Sequence, residues 1–144
     1  MPVSAGIFLN YRREDASHAA ARLCDQLLKH FGPEAIFMDI DSVPVGKDFT
    51  ESIANALDAC SVFLAIIGST WVNVKDSMGN RRLNDPNDYV RLEIQAALRR
   101  GIPVIPVLID NAGLPNPLEL PESLRPLFAL EWATPATREF PHRY

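Results

Sequence analysis

Apolar positions along the chain recur in two rhythms. Gly6–Tyr11, residues 61–68 and residues 102–110 are apolar on consecutive positions, the pattern of strands buried on both faces. Between them the spacing changes to three and four. Ala16, Ala20, Leu23, Cys24, Leu27, Leu28 and Phe31 predict a helix over residues 16–31, with Asp15 as its cap. Residues 35–39 predict a short second strand. The loop 40–48 carries Pro44 and Gly46, and Asp48 followed by Glu51 predicts a capping box for a helix that buries Phe49, Ile53, Ala56 and Leu57. Residues 88–98 predict a further helix, closed by Gly101. Pro106 falls inside the fourth predicted strand, where it cannot donate to the ladder, so a bulge or an unpaired edge is expected there. A proline-rich stretch follows residue 110, with a helical piece near residues 122–127 and a last strand over residues 128–132.

Alternating strands and helices of this size form β/α units. Five short parallel strands joined by right-handed crossovers favour the doubly wound, flavodoxin-like order 2-1-3-4-5, with helices on both faces. Strands one and three are then neighbours, and the crevice beyond their carboxyl ends is the default ligand site. Residues 10–17, 40–48 and the long polar connection 69–86 reach that crevice by topology. The whole of residues 1–144 is expected to form a single domain, the N-terminal part of a longer protein.

One residue near the crevice stands out on its helix. With Val90 at zero on a helical wheel of about 100° per residue, Ile94, Ala97 and Leu98 form the apolar arc. Glu93 falls about 60° to the other side, with Tyr89 one turn before it, a position at which a carboxylate is half-desolvated at a cleft lip. Tyr11, Arg12, Arg13, Ser69 and Trp71 reach the same edge. Arginines suit phosphates, aromatic rings suit a base, and Glu93 supplies the single carboxylate. Plainer roles stand beside these. Glu93 marks where a solvent face begins, Arg12 and Arg13 form a solvated basic corner or cap strand carbonyls, and Trp71 is a core or interface aromatic. Asp39 and Asp41 hydrogen-bond their own loop. Leu92 points away from the apolar arc and is a candidate contact point.

Composition narrows the classes. The 144 residues are 47% hydrophobic with a net charge of −4, enough for one packed core and too acidic for nucleic acid as a main partner. The longest apolar runs fall far short of the roughly 20 residues that span a bilayer, and the first residues lack a secretory leader, so a cytoplasmic protein without membrane contact is expected. Cys24 and Cys60 read as buried free thiols, and no metal-ligand spacing surrounds them. Receiver-type acidic residues, a Gly-rich dinucleotide turn, a phosphate loop and a nucleophile elbow are all missing from the places those chemistries need.

Five motifs in order carry a resemblance over roughly the whole chain. They are Phe8-Leu9-Asn10-Tyr11-Arg12-Arg13, Phe37-Met38-Asp39-Ile40-Asp41, Pro44-Val45-Gly46-Lys47, Val62-Phe63-Leu64-Ala65-Ile66-Ile67 and Asp88-Tyr89-Val90-Arg91-Leu92-Glu93-Ile94. Together they resemble a Toll/interleukin-1 receptor (TIR) domain of bacterial type. Members of that family are either adaptors that signal by TIR–TIR assembly or enzymes that cleave NAD⁺. The enzymes carry a helix glutamate where Glu93 stands, and often a Trp four positions earlier, where this chain has Tyr89.

The resemblance implies NAD⁺ as substrate, with no cofactor and no metal, and self-association with other TIR domains in defence or cell-death signalling. It implies Glu93 as the catalytic group. Tyr11, Arg12, Arg13, Asp41, Ser69, Trp71 and Tyr89 become candidate substrate contacts, and Pro44, Val45, Gly46 and Lys47 an assembly loop. One carboxylate suffices for such a reaction: nicotinamide leaves as a neutral molecule, so no general acid is needed, and an anion can stabilise the oxocarbenium-like ribose.

Overall fold

A computed structural model of the chain describes residues 6–38 and 46–128. Strand β1 (Gly6–Tyr11) leads into helix α1 (Arg13–Phe31), a 3-10 turn (Pro33–Ala35) and the short strand β2 (Ile36–Phe37). Helix α2 (Lys47–Asp58), strand β3 (Cys60–Ile67), helix α3 (Tyr89–Arg100) and strand β4 (Val104–Leu108) follow. All neighbouring strands are parallel, in the order β2-β1-β3-β4. The fold is therefore α/β, with strands one and three adjacent as expected. The predicted fifth strand runs beyond Phe128, outside the described residues.

Side-chain alternation along β1 sorts the core into two layers. Ile7 and Leu9 pack with Ala16 and Ala20 of α1 on one face of the sheet. Phe8 turns to the other face, where Phe63 of β3 stacks on it at 4.9 Å, over Phe49, Ile53 and Leu57 of α2 and Ile94 and Ala97 of α3. Leu124 and Leu127, from the 3-10 segment Glu122–Leu127, close this second layer. Each large side chain buried this way contributes about 1.5–3 kcal/mol. Gly6 is required by a close approach: a Cβ there would meet the Ala59 carbonyl oxygen at 2.4 Å.

Two local expectations are corrected, and of the two alternatives for Pro106 the unpaired edge holds. Asp15 does not cap α1; the helix begins at Arg13 with Arg12 at the cap, and non-helical dihedrals at Ala16 (φ −144°, ψ 17°) set its first turn apart. The carboxylate of Asp15 instead accepts from the Gly68 and Thr70 backbone N–H groups, at 2.7 and 2.9 Å, and from the Thr70 hydroxyl at 2.7 Å. The Asp48–Glu51 capping box does not form either, because α2 starts two residues earlier, from Gly46, whose φ of 151° favours glycine. Pro106 pairs with Ala65 in unbroken register, without a bulge. Pro103 accepts from Phe63 and Ile109 donates to Ile67, so odd-numbered residues face β3 and the Pro106 nitrogen faces the outer edge. Gly101 ends α3 in the left-handed region, as expected, and Asp88 caps its start by accepting from the Arg91 N–H at 3.1 Å.

Candidate functional site

The carboxyl end of β1 meets the first turns of α3. Asn10 is the one polar residue inside the apolar run of β1, and it shares the Phe8 face, which looks toward α3. Its amide nitrogen donates to Glu93 Oε1 at 2.8 Å and reaches the Val90 carbonyl at 3.4 Å. Asn10 is fully buried and Glu93 is 6% exposed. The carboxylate therefore lies deeper than the half-desolvated lip position that its helical phase suggested. With two acceptors facing the amide nitrogen, the orientation of Asn10 is fixed by the network, and its Oδ1 finds no partner among the described residues.

A second link joins the same two elements. Arg12 donates through both terminal nitrogens to Asp88, at 2.5 and 2.9 Å, and both side chains are buried. Asp88 thus serves the guanidinium and the helix cap together. Such a pair fixes the start of α3 against the end of β1. Tyr89, next along, is half-buried and packs edge-on against Phe49 of α2 with ring centres 5.0 Å apart.

Two depressions open beside Tyr89. The smaller, about 170 Å³, is lined by Tyr11, Arg12, Arg13, Glu14, Arg82, Tyr89 and Val90. The larger, about 460 Å³, has mostly charged walls, with Asp76, Asp85 and Asp88 against Lys75 and Arg82. Glu14 and Arg82 form an ion pair at the boundary between them. Burial raises the Glu14 carboxyl, but its backbone hydrogen bond, the bond to Arg82 and the charges of Arg82 and Arg12 outweigh this and hold it below its ordinary 4.5.

A family model described as "TIR domain" matches residues 7–140. The chain belongs to the TIR domain family. A curated relative, "NAD(+) hydrolase sarm1" of Drosophila melanogaster, is 28% identical over 128 residues. That match covers 87% of this chain and 9% of the relative, so the chain spans a small part of the protein it resembles.

In this TIR domain the structure brings Tyr11, Arg12, Arg13 and Tyr89 to one depression, with Glu93 one turn further along α3. Two of the candidate contacts are buried. Trp71 is fully buried in the core, edge-on to Phe128 at 6.1 Å, so its indole packs rather than binds. Arg12 lines the depression while both its terminal nitrogens are engaged by Asp88. Ser69 lines a different depression, of about 260 Å³, with Asn73, Asn111 and Gly113. Asp41, Pro44 and Val45 lie outside the described residues; Gly46 and Lys47 begin α2. Leu92 is half-buried and lines a groove with Phe49, Ile53 and Arg99.

The residues that sequence reasoning left unassigned are Asn10, Asp88 and Arg82. A signal existed for Asn10, a lone amide inside the apolar run Gly6–Tyr11. Asp88 was visible as a cap but not as the partner of a residue 76 positions away. Cys60 is buried, which pushes its thiol up to about 11, while Cys24 is only half-buried. Among the described residues no three His, Cys, Asp or Glu side chains gather as metal ligands, and no helix is long and apolar enough to cross a membrane.

Proposed function

We propose that this TIR domain cleaves NAD⁺ at the nicotinamide–ribose bond, with Glu93 as the catalytic carboxylate. The observation that carries the reading is the carboxylate itself, buried at the carboxyl end of the sheet and held at one oxygen by Asn10. The likeness to a protein named NAD(+) hydrolase supports it. The C1′–N bond breaks with its electron pair passing to the pyridinium nitrogen, and nicotinamide leaves neutral. The carboxylate stabilises the positive ribose, water adds at C1′ and a proton is released. The product is ADP-ribose, or a cyclic form when an atom of the same molecule replaces water. Tyr89 and Tyr11 pack against the substrate, with Asp41 and Ser69 as further candidate contacts. NAD⁺ is a substrate here and no cofactor takes part.

A depression of about 170 Å³ is small for a whole dinucleotide, and Glu93 does not line it. This favours activation by self-association, with Pro44–Lys47 as the docking loop, in cytoplasmic defence or cell-death signalling. The same observation supports a second reading, a TIR–TIR interaction module without turnover. Nicotinamide release from NAD⁺ by concentrated protein separates the two. We expect Glu93→Ala to lower the rate by on the order of 10²–10³-fold. A folded, self-associated sample that releases no nicotinamide sinks the enzyme reading. Release that survives Glu93→Ala removes Glu93 from the chemistry.

A further inference from the structure

With Arg12 committed to Asp88, the cation for an anionic ligand must come from elsewhere. Arg82 stands at the start of a 3-10 turn, Arg82–Asn84, in the connection before α3. It lines both depressions beside Tyr89, and its guanidinium is held by Glu14 from the first turn of α1. The Arg82 and Glu14 side chains are 30% and 54% exposed. A pair this open contributes at most about 0.2–1 kcal/mol, so an incoming anion displaces the carboxylate at little cost.

Charge selects the smaller depression. Its walls carry Arg12, Arg13 and Arg82 against the single acid Glu14, and Arg12 is already neutralised by Asp88. Arg82 carries the positive charge that is released once Glu14 moves aside. The larger depression holds three carboxylates besides the paired Asp88, against two cations, and disfavours an anion. Burial raises the Glu14 carboxyl, and its backbone hydrogen bond first, then Arg82 and Arg12, hold it low, so an anionic group is tolerated at this place.

The depression is also the right distance from the chemistry. Val90 lines it, and the Val90 carbonyl faces the amide of Asn10 that holds Glu93. Tyr89 precedes Glu93 by about one helical turn, roughly 5.4 Å along the axis. An anion beside Tyr89 is therefore held at the turn of α3 that precedes Glu93.

We propose that Arg82 receives the diphosphate of a dinucleotide substrate in this depression, and that Glu14 is a placeholder carboxylate which the diphosphate displaces. The substrate's identity rests on the glycohydrolase reading; the anion chemistry does not. The test uses the full chain carrying Glu93→Gln, titrated by calorimetry with inorganic pyrophosphate and with ADP-ribose. Arg82→Gln weakens both probes by about tenfold or more, as loss of a charge-assisted contact does. Glu14→Gln tightens both by roughly threefold, because a competing carboxylate is gone.

The opposite signs decide the matter. A pair that only fastens the loop to α1 is broken equally by either substitution, and both then shift binding in the same direction. Arg82→Lys, with melting curves of all variants, guards against a folding artefact. Unchanged affinity in Arg82→Gln, matching losses in both variants, or no binding of either probe by the folded chain overturns the proposal. Arg82-dependent binding without nicotinamide release removes the glycohydrolase reading and leaves the anion site standing. NAD⁺ cleavage with Arg82-independent binding does the reverse.

Discussion

Two arginine–carboxylate pairs join the segment after β1 to the approach to α3, and burial makes them different devices. Arg12 and Asp88 are each 2% exposed and share two hydrogen bonds. Arg82 and Glu14 stand largely in water. A buried pair that loses one partner strands a charge in a poor dielectric, so it acts as a lock on the relative position of the two elements. An exposed pair loses little when it opens, so it can change partners. The same chemical groups thus hold the site at one place and admit a ligand at the other.

The largest expected effect comes from breaking the lock. Arg12→Ala leaves Asp88 uncompensated and costs about 3–5 kcal/mol in denaturant unfolding. A phosphate-binding Arg12 predicts the contrary, weaker substrate binding at nearly unchanged stability. Asn10→Leu comes next. It keeps the apolar shape of β1 but removes the donor from Glu93, at a cost of about 1–3 kcal/mol. Nicotinamide release then falls by roughly ten- to a hundredfold. A variant that melts normally and turns over normally shows that Asn10 does not hold the carboxylate in its working position.

The open pair gives the smallest effects. Glu14→Gln changes stability at neutral pH by less than about 1 kcal/mol. The sign of its pH dependence follows from the lowered carboxyl. Its stabilisation is present above the ordinary 4.5 and is lost as pH falls through the lower folded value. Unfolding curves below pH 4.5 should therefore be flatter for Glu14→Gln than for the parent chain. Equal pH slopes in the two proteins mean that the pair contributes nothing to folding, which sharpens the contrast with Arg12–Asp88.

Much of the architecture was legible because it depends on local rhythm. The apolar runs mark β1, β3 and β4, and Gly101 closes α3 as capping chemistry requires. Gly46 before Asp48 was read as loop rather than as the start of α2, since capping rules rank Asp above Gly without knowing the dihedral angles. Pro106 was flagged as uncomfortable, yet only the pairing of its neighbours showed that its nitrogen faces the outer edge. At the site, topology brings Tyr11, Arg13 and Tyr89 together, while Trp71 takes the core position that stood as its plainer role. An aromatic after a strand packs inward or outward according to what lies above it, and here that is Phe128, 57 positions later.

The chain by itself determined the order of its elements, the parallel sheet with β1 beside β3, and a carboxylate on the flank of α3. These follow from periodicity and crossover handedness, which act over a few residues at a time. Only the tertiary structure decided the pairings: Asn10 with Glu93, Arg12 with Asp88, Asp15 with Gly68 and Thr70, and Arg82 with Glu14. Each joins residues more than 50 positions apart. Charge and hydrogen-bonding capacity are written in the residue types, but which partner satisfies them depends on distance and burial, and packing alone sets those.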